Sequence, residues 1–160
     1  MLANISDLPE SARVWIYQSN QILSKGQLGL MQKGAEAFCN QWSAHGTPLH
    51  SSYKILHDKF LILIVDEGAN NASGCSIDSS VRFIKGLEQE LNVNFFDRTQ
   101  LAFLINDHIY TTDLKEIKNE ISDGNIGADT LTFNLQAENL GDFNSNWLVP
   151  AQNSWMKRYF

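Results

Sequence analysis

The stretch SYKILHDKFLILIV, residues 52–65, decides the fold of this chain. In its first part Tyr53 and Ile55 alternate with polar neighbours, a pattern typical of a strand with one exposed face. Residues 60–65 are all apolar, which is typical of a strand buried on both faces. Residues 57–58, His-Asp, predict a tight turn between the two runs. We therefore predict a β-hairpin whose second strand lies at the centre of a sheet.

A helix is predicted on each side of this hairpin. On the N-terminal side, apolar residues recur at spacings of three and four from Leu28 until His45 and Gly46. On the C-terminal side the same period runs to Asn92, with Ser73 or Ser76 placed to cap the start. The apolar positions are Met31, Ala35, Phe38 and Trp42 in the first helix and Ile77, Val81, Ile84, Leu87 and Leu91 in the second.

Three more strands complete the pattern. Residues 14–17 (VWIY) precede the first helix, and residues 101–105 (LAFLI) and 109–112 follow the second. A turn at residues 106–107 joins the last two strands. The order is then β-α-β-β-α-β-β, whose first six elements match the split β-α-β pattern. We therefore predict an α+β protein with a ferredoxin-like core, in which two helices cover one face of a mainly antiparallel sheet.

The chain after residue 112 is less regular. Asp113 and Glu116 predict a capping box for a short third helix that ends at Gly124. Residues 130–135 (TLTFNL) predict a last strand.

The length of 160 residues fits one domain. We predict an α+β core over residues 12–112 and a C-terminal extension over residues 113–160 that packs on it. The aromatic side chains of the extension, Trp147 and Trp155 among them, are expected to fold back over the sheet face that the helices leave open.

Composition excludes several classes of function. Lys and Arg number 12 against 18 Asp and Glu, so the formal charge of -6 repels phosphate backbones and anionic lipid. The start of the sequence has neither the positive nor the apolar region of a secretory signal. The longest apolar run, residues 60–65, is far shorter than the roughly 20 residues of a membrane-spanning helix. Cys39 and Cys75 fit two cytosolic thiols. We predict a cytoplasmic protein that binds neither nucleic acid nor membrane.

The best candidate site is the segment DEGANNASGCSIDSS, residues 66–80, which joins the predicted central strand to the second helix. Unpaired N–H groups at a helix start bind anions and stabilise thiolates. Cys75 lies in that field and is the candidate catalytic nucleophile or redox group. The candidate ligand-binding residues are Asp66, Glu67, Asn70, Asn71, Ser73, Gly74, Ser76 and Asp78.

The same residues also have a purely structural interpretation. Ser, Asn, Asp and Gly are what any helix cap and turn require. Asp66, Glu67 and Asp78, if close to Cys75, would raise the pKa of its thiol and oppose the helix field. Cys39, beside Phe38 on the first helix, is expected to be a packing residue. The sequence leaves both interpretations of the segment open.

A metal site is not predicted. His45, His50 and His57 lie close in sequence, but the odd separation of His50 and His57 points them to opposite faces of one strand. Asp66 and Glu67, with Asn70 and Asp78, are alternatively ligands of a hard cation, or residues of a solvated turn. We expect neither a metal nor a cofactor.

Four stretches resemble a family of uncharacterised bacterial proteins of about this length. They are ARVWIYQS, FCNQWSAHGTPL, VDEGANNASGCSIDSSV and NWLVPAQNSWMKRYF, which begin at residues 12, 38, 65 and 146. Some members of that family carry the automatic label ABC transporter ATPase. Nucleotide hydrolysis of that type requires GxxxxGK[ST] to hold the phosphates, and the sequence has no such motif. The resemblance therefore implies no activity.

Three functional hypotheses follow, in this order. The first is a cytosolic module that binds a protein partner or small ligand without turning it over, since no nucleophile, base and oxyanion donors assemble in the sequence. The second is a thiol-dependent enzyme or redox protein that uses Cys75 with a histidine as base. The third is an ATP-handling transport subunit. The sequence favours a non-enzyme and leaves open a homo-oligomer.

Overall fold

The structure is a computed structural model that describes residues 1–68 and 71–160. It has α+β architecture with antiparallel sheets. The strands are β1 (Arg13–Gln18), β2 (Ser43–Ala44), β3 (Thr47–Pro48), β4 (His50–Leu56), β5 (Phe60–Asp66), β6 (Gln100–Ile105), β7 (His108–Asp113), β8 (Leu131–Phe133) and β9 (Leu148–Pro150). The helices are α1 (Lys25–Gln41), α2 (Gly74–Leu91), α3 (Ile117–Ser122) and α4 (Leu140–Asn146), with short 3₁₀ turns at Ile5–Asp7, Leu114–Glu116, Ala151–Asn153 and Trp155–Tyr159.

The predicted hairpin is confirmed as β4 and β5. The two strands pair antiparallel from His50 opposite Asp66 to Leu56 opposite Phe60. Of the three residues 57–59 between the paired strand ends, His57 and Asp58 both have a φ of 53°, the left-handed conformation that a tight hairpin turn uses. Strand β5 is buried along almost its whole length, as its unbroken apolar run predicts.

Both predicted helices are present with defined caps. Helix α1 begins at a capping box of Ser24 and Gln27, and α2 at one formed by Ser73 and Ser76. Helix α1 ends at residue 41, before the predicted end near His45. The reason is local, because residues 43–48 form the small β2–β3 hairpin, whose turn holds His45 at a φ of 52°.

The first sheet has the strand order β1-β5-β4. Helices α1 and α2 cover one of its faces through apolar side chains that point from β5, such as Leu61 and Leu63, toward Ala35 and Ile84. These contacts remove the apolar faces of both helices from water, which is the main source of their stability.

The second sheet has the order β7-β6-β8-β9 and covers the other face of the first. Phe60 and Ile62 of β5 pack against Ala102 of β6 and Phe133 of β8 in the layer between the two sheets. Beyond the second sheet, Phe103 packs among α3 and the C-terminal 3₁₀ turns. The molecule therefore has four layers. They are the layer of α1 and α2, the first sheet, the second sheet, and an outer layer of α3 and short turns.

The ferredoxin-like arrangement is not confirmed. The order β1-β5-β4 is that of the first three strands of such a sheet, but the fourth strand, β6, does not lie beside β1. All six residues of β6 pair with β7, and Phe103 and Leu104 also pair with β8. Both edges of β6 are thus occupied at its C-terminal half, which commits it to the second sheet.

The C-terminal tail covers the open face only in part. Trp147 does pack in the layer between the sheets, against Phe60, Phe133 and Phe143. Trp155 instead remains 44% exposed. The second sheet joins β6 and β7 to β8 and β9, so residues on both sides of the predicted division at residue 112 share one sheet.

Within residues 1–68 and 71–160, no helix combines the length and the hydropathy that crossing a bilayer requires.

Candidate functional site

The described part of the predicted site segment forms the end of β5, the turn that follows it, and the first turns of α2. Ser73 Oγ accepts from Ser76 N–H at 3.2 Å, and Ser76 Oγ accepts from Ser73 N–H at 2.6 Å. Ser76 is buried, and its carbonyl accepts from Trp42 Nε1 at 2.9 Å. These two serines therefore cap the helix start and anchor it to α1's end, which is the structural role that their residue types predict.

Cys75 is the second residue of α2 and is exposed, together with Gly74. In the part of the chain that the structure describes, its thiol makes no hydrogen bond to a histidine or carboxylate. Cys39 differs in every respect, since it is buried and burial raises its pKa to about 11. Cys39 is thus the packing residue that the sequence predicts, while Cys75 is accessible but has no base among the described residues.

The predicted ligand-binding residues do not converge on one point. Asp66 Oδ1 accepts from Gly68 N–H at 2.9 Å within the turn itself. Glu67 forms an ion pair with Arg13 of β1 at 3.3 Å. Asn71 and Asp78 are exposed, and Asn70 lies outside the described residues. Among residues 1–68 and 71–160, no group of three His, Cys, Asp or Glu side chains is placed to hold a metal ion.

A large concave feature of the described residues lies elsewhere, along the edge of β1 that faces away from β5. This groove, which we call the β1 groove, has a volume of about 1400 Å³. One wall is β1 itself. The other wall consists of residues 95–98, the start of β6, and residues 132–139 of β8 and the segment after it. The separation of β6 from β1 into a second sheet is what opens this space.

The edge of β1 carries backbone groups that have no partner among the described residues. Val14 N–H donates to Glu138 O at 3.1 Å, on the side away from β5. Residues two apart in a strand point the same way, so Ile16 and Gln18 also direct their N–H and C=O groups toward the groove. Within the described residues, no hydrogen bond of Ile16 N–H, Ile16 C=O, Gln18 N–H or Val14 C=O is found on this edge.

The free edge is bounded at both ends. At the start of β1, Ala12 C=O accepts from Leu140 N–H at 2.8 Å beside the Val14–Glu138 contact. At the end, Gln18 Nε2 donates to Gln100 O of β6 at 3.1 Å. Gln100 also lines the groove, and its Oε1 is buried without a donor in the described part of the chain. A buried acceptor without a donor calls for a partner that supplies one.

Three large apolar side chains are exposed in the lining of the groove. Phe96, Leu135 and Trp155 line it and are each more than 40% exposed, at 41%, 42% and 44%. Phe96 meets Tyr17 of β1 edge to face, with ring centroids 6.0 Å apart. Exposed large apolar side chains gathered along one concave surface are typical of interaction sites.

Lys59 is a further residue that the sequence reasoning missed. It follows the hairpin turn and is fully buried, and its Nζ donates to Ser19 O at 2.7 Å. Burial lowers its pKa from 10.5 to about 8. The sequence offered one signal, a lysine directly before an apolar strand, but lysines at hairpin turns are usually solvated.

The groove was not predicted because it depends on where β6 lies relative to β1, which no local pattern specifies.

Comparison of the chain with protein-family models, with curated proteins and with solved structures found no match.

Proposed function

We propose that this protein is a cytoplasmic, non-catalytic binding module whose β1 groove takes up an extended polypeptide segment as an added strand. The observation that carries the proposal is the row of backbone groups from Val14 C=O to Gln18 N–H that faces the groove and has no partner among residues 1–68 and 71–160. A free strand edge is a template for another strand, and several peptide-binding domains use it in this way. The groove lies where the fourth strand of a ferredoxin-like sheet would pair with β1. We therefore also propose that the fold is an opened relative of that arrangement.

The geometry of the edge sets the length of the segment. An antiparallel strand whose central residue pairs with Ile16 exchanges two hydrogen bonds with it. The residues two positions away on either side then reach Val14 C=O and Gln18 N–H. The paired segment is thus about five residues long, at about 3.3 Å per residue. Both ends of the edge are occupied, by Glu138 and by Gln100, so a longer chain leaves through the open side of the groove.

The hydrogen bonds alone give weak binding. Each contributes about 0.5–1.5 kcal/mol after desolvation. Additional affinity comes from contact with exposed apolar side chains, of which Trp155 and Phe96 present the largest surfaces. Weak, edge-directed binding of this kind suits a transient partner.

Exposure of Cys75 supports the second candidate, a thiol-dependent protein, to a lesser degree. Nucleophilic catalysis needs a base within hydrogen-bond reach of the thiol. The described residues offer the Cys75 thiol no such contact, whereas the β1 edge supplies several binding groups in one row.

The experiment is a titration of ¹⁵N-labelled protein with three pentapeptides, followed by NMR and amide hydrogen exchange. The peptides are acetyl-Val-Xaa-Val-Xaa-Val-amide with Xaa as Lys, Gln or Glu. We expect at least one peptide to shift the amide signals of Ile16 and Gln18 and to slow their exchange.

Two controls separate strand addition from unspecific contact. The amides of Tyr53 and Ile55 lie on the outer edge of β4, the opposite edge of the same sheet, and should not respond. The same peptide with an N-methyl group on its central valine should lose binding, because it cannot donate to Ile16 C=O. No response at Ile16 and Gln18 to any of the three peptides, or an equal response at Tyr53 and Ile55, would refute the proposed function.

A further inference from the structure

The charge of the β1 groove indicates which amino acids the bound polypeptide segment contains. Resting on the proposed function, we infer that the segment is basic, with Lys or Arg alternating with apolar residues.

The groove carries more acidic than basic side chains. Four acids against two bases give it a net charge of −2, the same sign as the charge of -6 of the whole chain. One of the bases is already engaged, because the Arg13 guanidinium pairs with Glu67 and lies 4.8 Å from the ring centroid of Trp15. The six charged lining residues are Arg13, Glu67, Asp97, Arg98, Glu138 and Asp142.

The other three acids, Asp97, Glu138 and Asp142, form no ion pair with any residue in 1–68 or 71–160. Asp97 accepts from Thr99 N–H and Oγ1, and these hydrogen bonds lower its pKa and keep it ionised. Asp142 accepts from an asparagine amide, and Glu138 is exposed. Their negative field is therefore available to a cation from outside.

Side-chain alternation places the basic residues within the segment. The residue opposite Ile16 shares its face, which packs against the apolar layer between the sheets. The residues on either side of it share the face of Trp15 and Tyr17. Aromatic faces attract cations, and the aliphatic stem of Lys or Arg packs on them. The segment therefore reads apolar, basic, apolar, basic, apolar.

The test is calorimetric titration of the folded full chain with the same three pentapeptides. We expect the Lys peptide to bind at least about tenfold more tightly than the Glu peptide, with the Gln peptide between them. Raising the salt concentration from about 0.05 M to about 0.5 M should weaken the Lys peptide several-fold and leave the Gln peptide nearly unchanged.

A matched pair of variants locates the effect in the groove. Glu138→Gln should weaken the Lys peptide about two- to threefold and leave the Gln peptide unchanged. Glu90→Gln removes an exposed acid of α2 that does not line the groove, and should change neither. Both positions are exposed, so neither variant is expected to affect folding.

The outcomes separate this inference from the proposed function. Equal affinity for the three peptides, or tighter binding of the Glu peptide, with signals shifted at Ile16 and Gln18, overturns the inference on charge and leaves strand addition standing. A salt-sensitive preference for the Lys peptide that Glu90→Gln reduces as much as Glu138→Gln also overturns it. Absence of any effect at Ile16 and Gln18 overturns the proposed function itself.

Discussion

Replacing Lys59 with methionine tests the energetics of the core most directly. The lysine is fully buried, and its Nζ donates to Ser19 O at 2.7 Å. Methionine has a similar shape but no charge, so Lys59→Met removes the ionisation without opening a large cavity. Burial of the charged ammonium group lowers the pKa of Lys59 from 10.5 to about 8 and lowers the unfolding free energy of the wild type. The variant does not have this unfavourable contribution.

The sign of the pH dependence follows from this lowered pKa. Above about pH 8 the native lysine is largely neutral, whereas the unfolded chain still binds the proton, so the unfolding free energy rises with pH. Below the native pKa both states are protonated, and the penalty for the buried charge is fully present. With values of 10.5 and about 8, the gain between pH 7 and pH 9 is about 1 kcal/mol.

The assay is urea unfolding of wild type and Lys59→Met at pH 7, 8 and 9. At an m-value of about 2 kcal/mol/M, the gain shifts the midpoint of wild type relative to the variant by about 0.5 M. Cys39, whose raised pKa makes the unfolding free energy fall at high pH, is present in both proteins, so its effect cancels in the comparison. Parallel pH profiles for the two proteins would show that Lys59 is not desolvated and refute the reasoning.

Three further predictions concern the helix cap, the thiols and the outer core. Ser73→Ala removes the N-cap of α2 and should lower the unfolding free energy by about 1 kcal/mol in urea titrations; no change would mean that Ser76 suffices. Iodoacetamide should modify Cys75 in the folded protein and Cys39 only after unfolding, as followed by mass spectrometry; equal rates would contradict the burial of Cys39. Phe103→Ala should lower the unfolding free energy by about 3–5 kcal/mol because Phe103 is buried, and Phe96→Ala by about 1 kcal/mol or less because Phe96 is exposed. Similar unfolding midpoints for the two variants would argue against the second sheet.

Local signals in the sequence predict the first half of the fold. The turn at His57-Asp58, the apolar run that becomes β5, and the caps at Ser73 and Asn92 all act within a few residues of the chain. Because each of these effects is short-range, the hairpin and both long helices follow from residue types alone.

The second sheet does not follow from such signals. Strand β8 has only three residues, and its partner β6 lies about thirty positions earlier in the chain, since Phe103 pairs with Thr132. A pairing of this kind depends on the competition between two partners for one edge, here β1 and β8 for β6. The alternation of Leu101 and Phe103 with Ala102 fits either sheet, so the sequence pattern could not choose between them.

Local sequence signals also fail to predict the candidate site. The composition of residues 66–80 predicts a site for an anion or a thiolate. In the structure, however, the backbone N–H groups of Ser73 and Ser76 each donate to the hydroxyl oxygen of the other serine. The β1 groove has no compositional signal, because its binding groups are backbone atoms that every residue carries. Only the place of β6 in the second sheet leaves them unpaired.

An unpaired strand edge is normally a hazard, because it pairs with any exposed strand of another molecule. Strand β1 limits this hazard because Glu138 occupies one end of its free edge and Gln100 the other. A long strand of a second copy cannot lie along an edge that is closed at both ends, whereas a segment of about five residues can. The same two contacts that protect the edge from aggregation therefore restrict its occupant to a short, extended segment, which makes the opening between β1 and β6 selective.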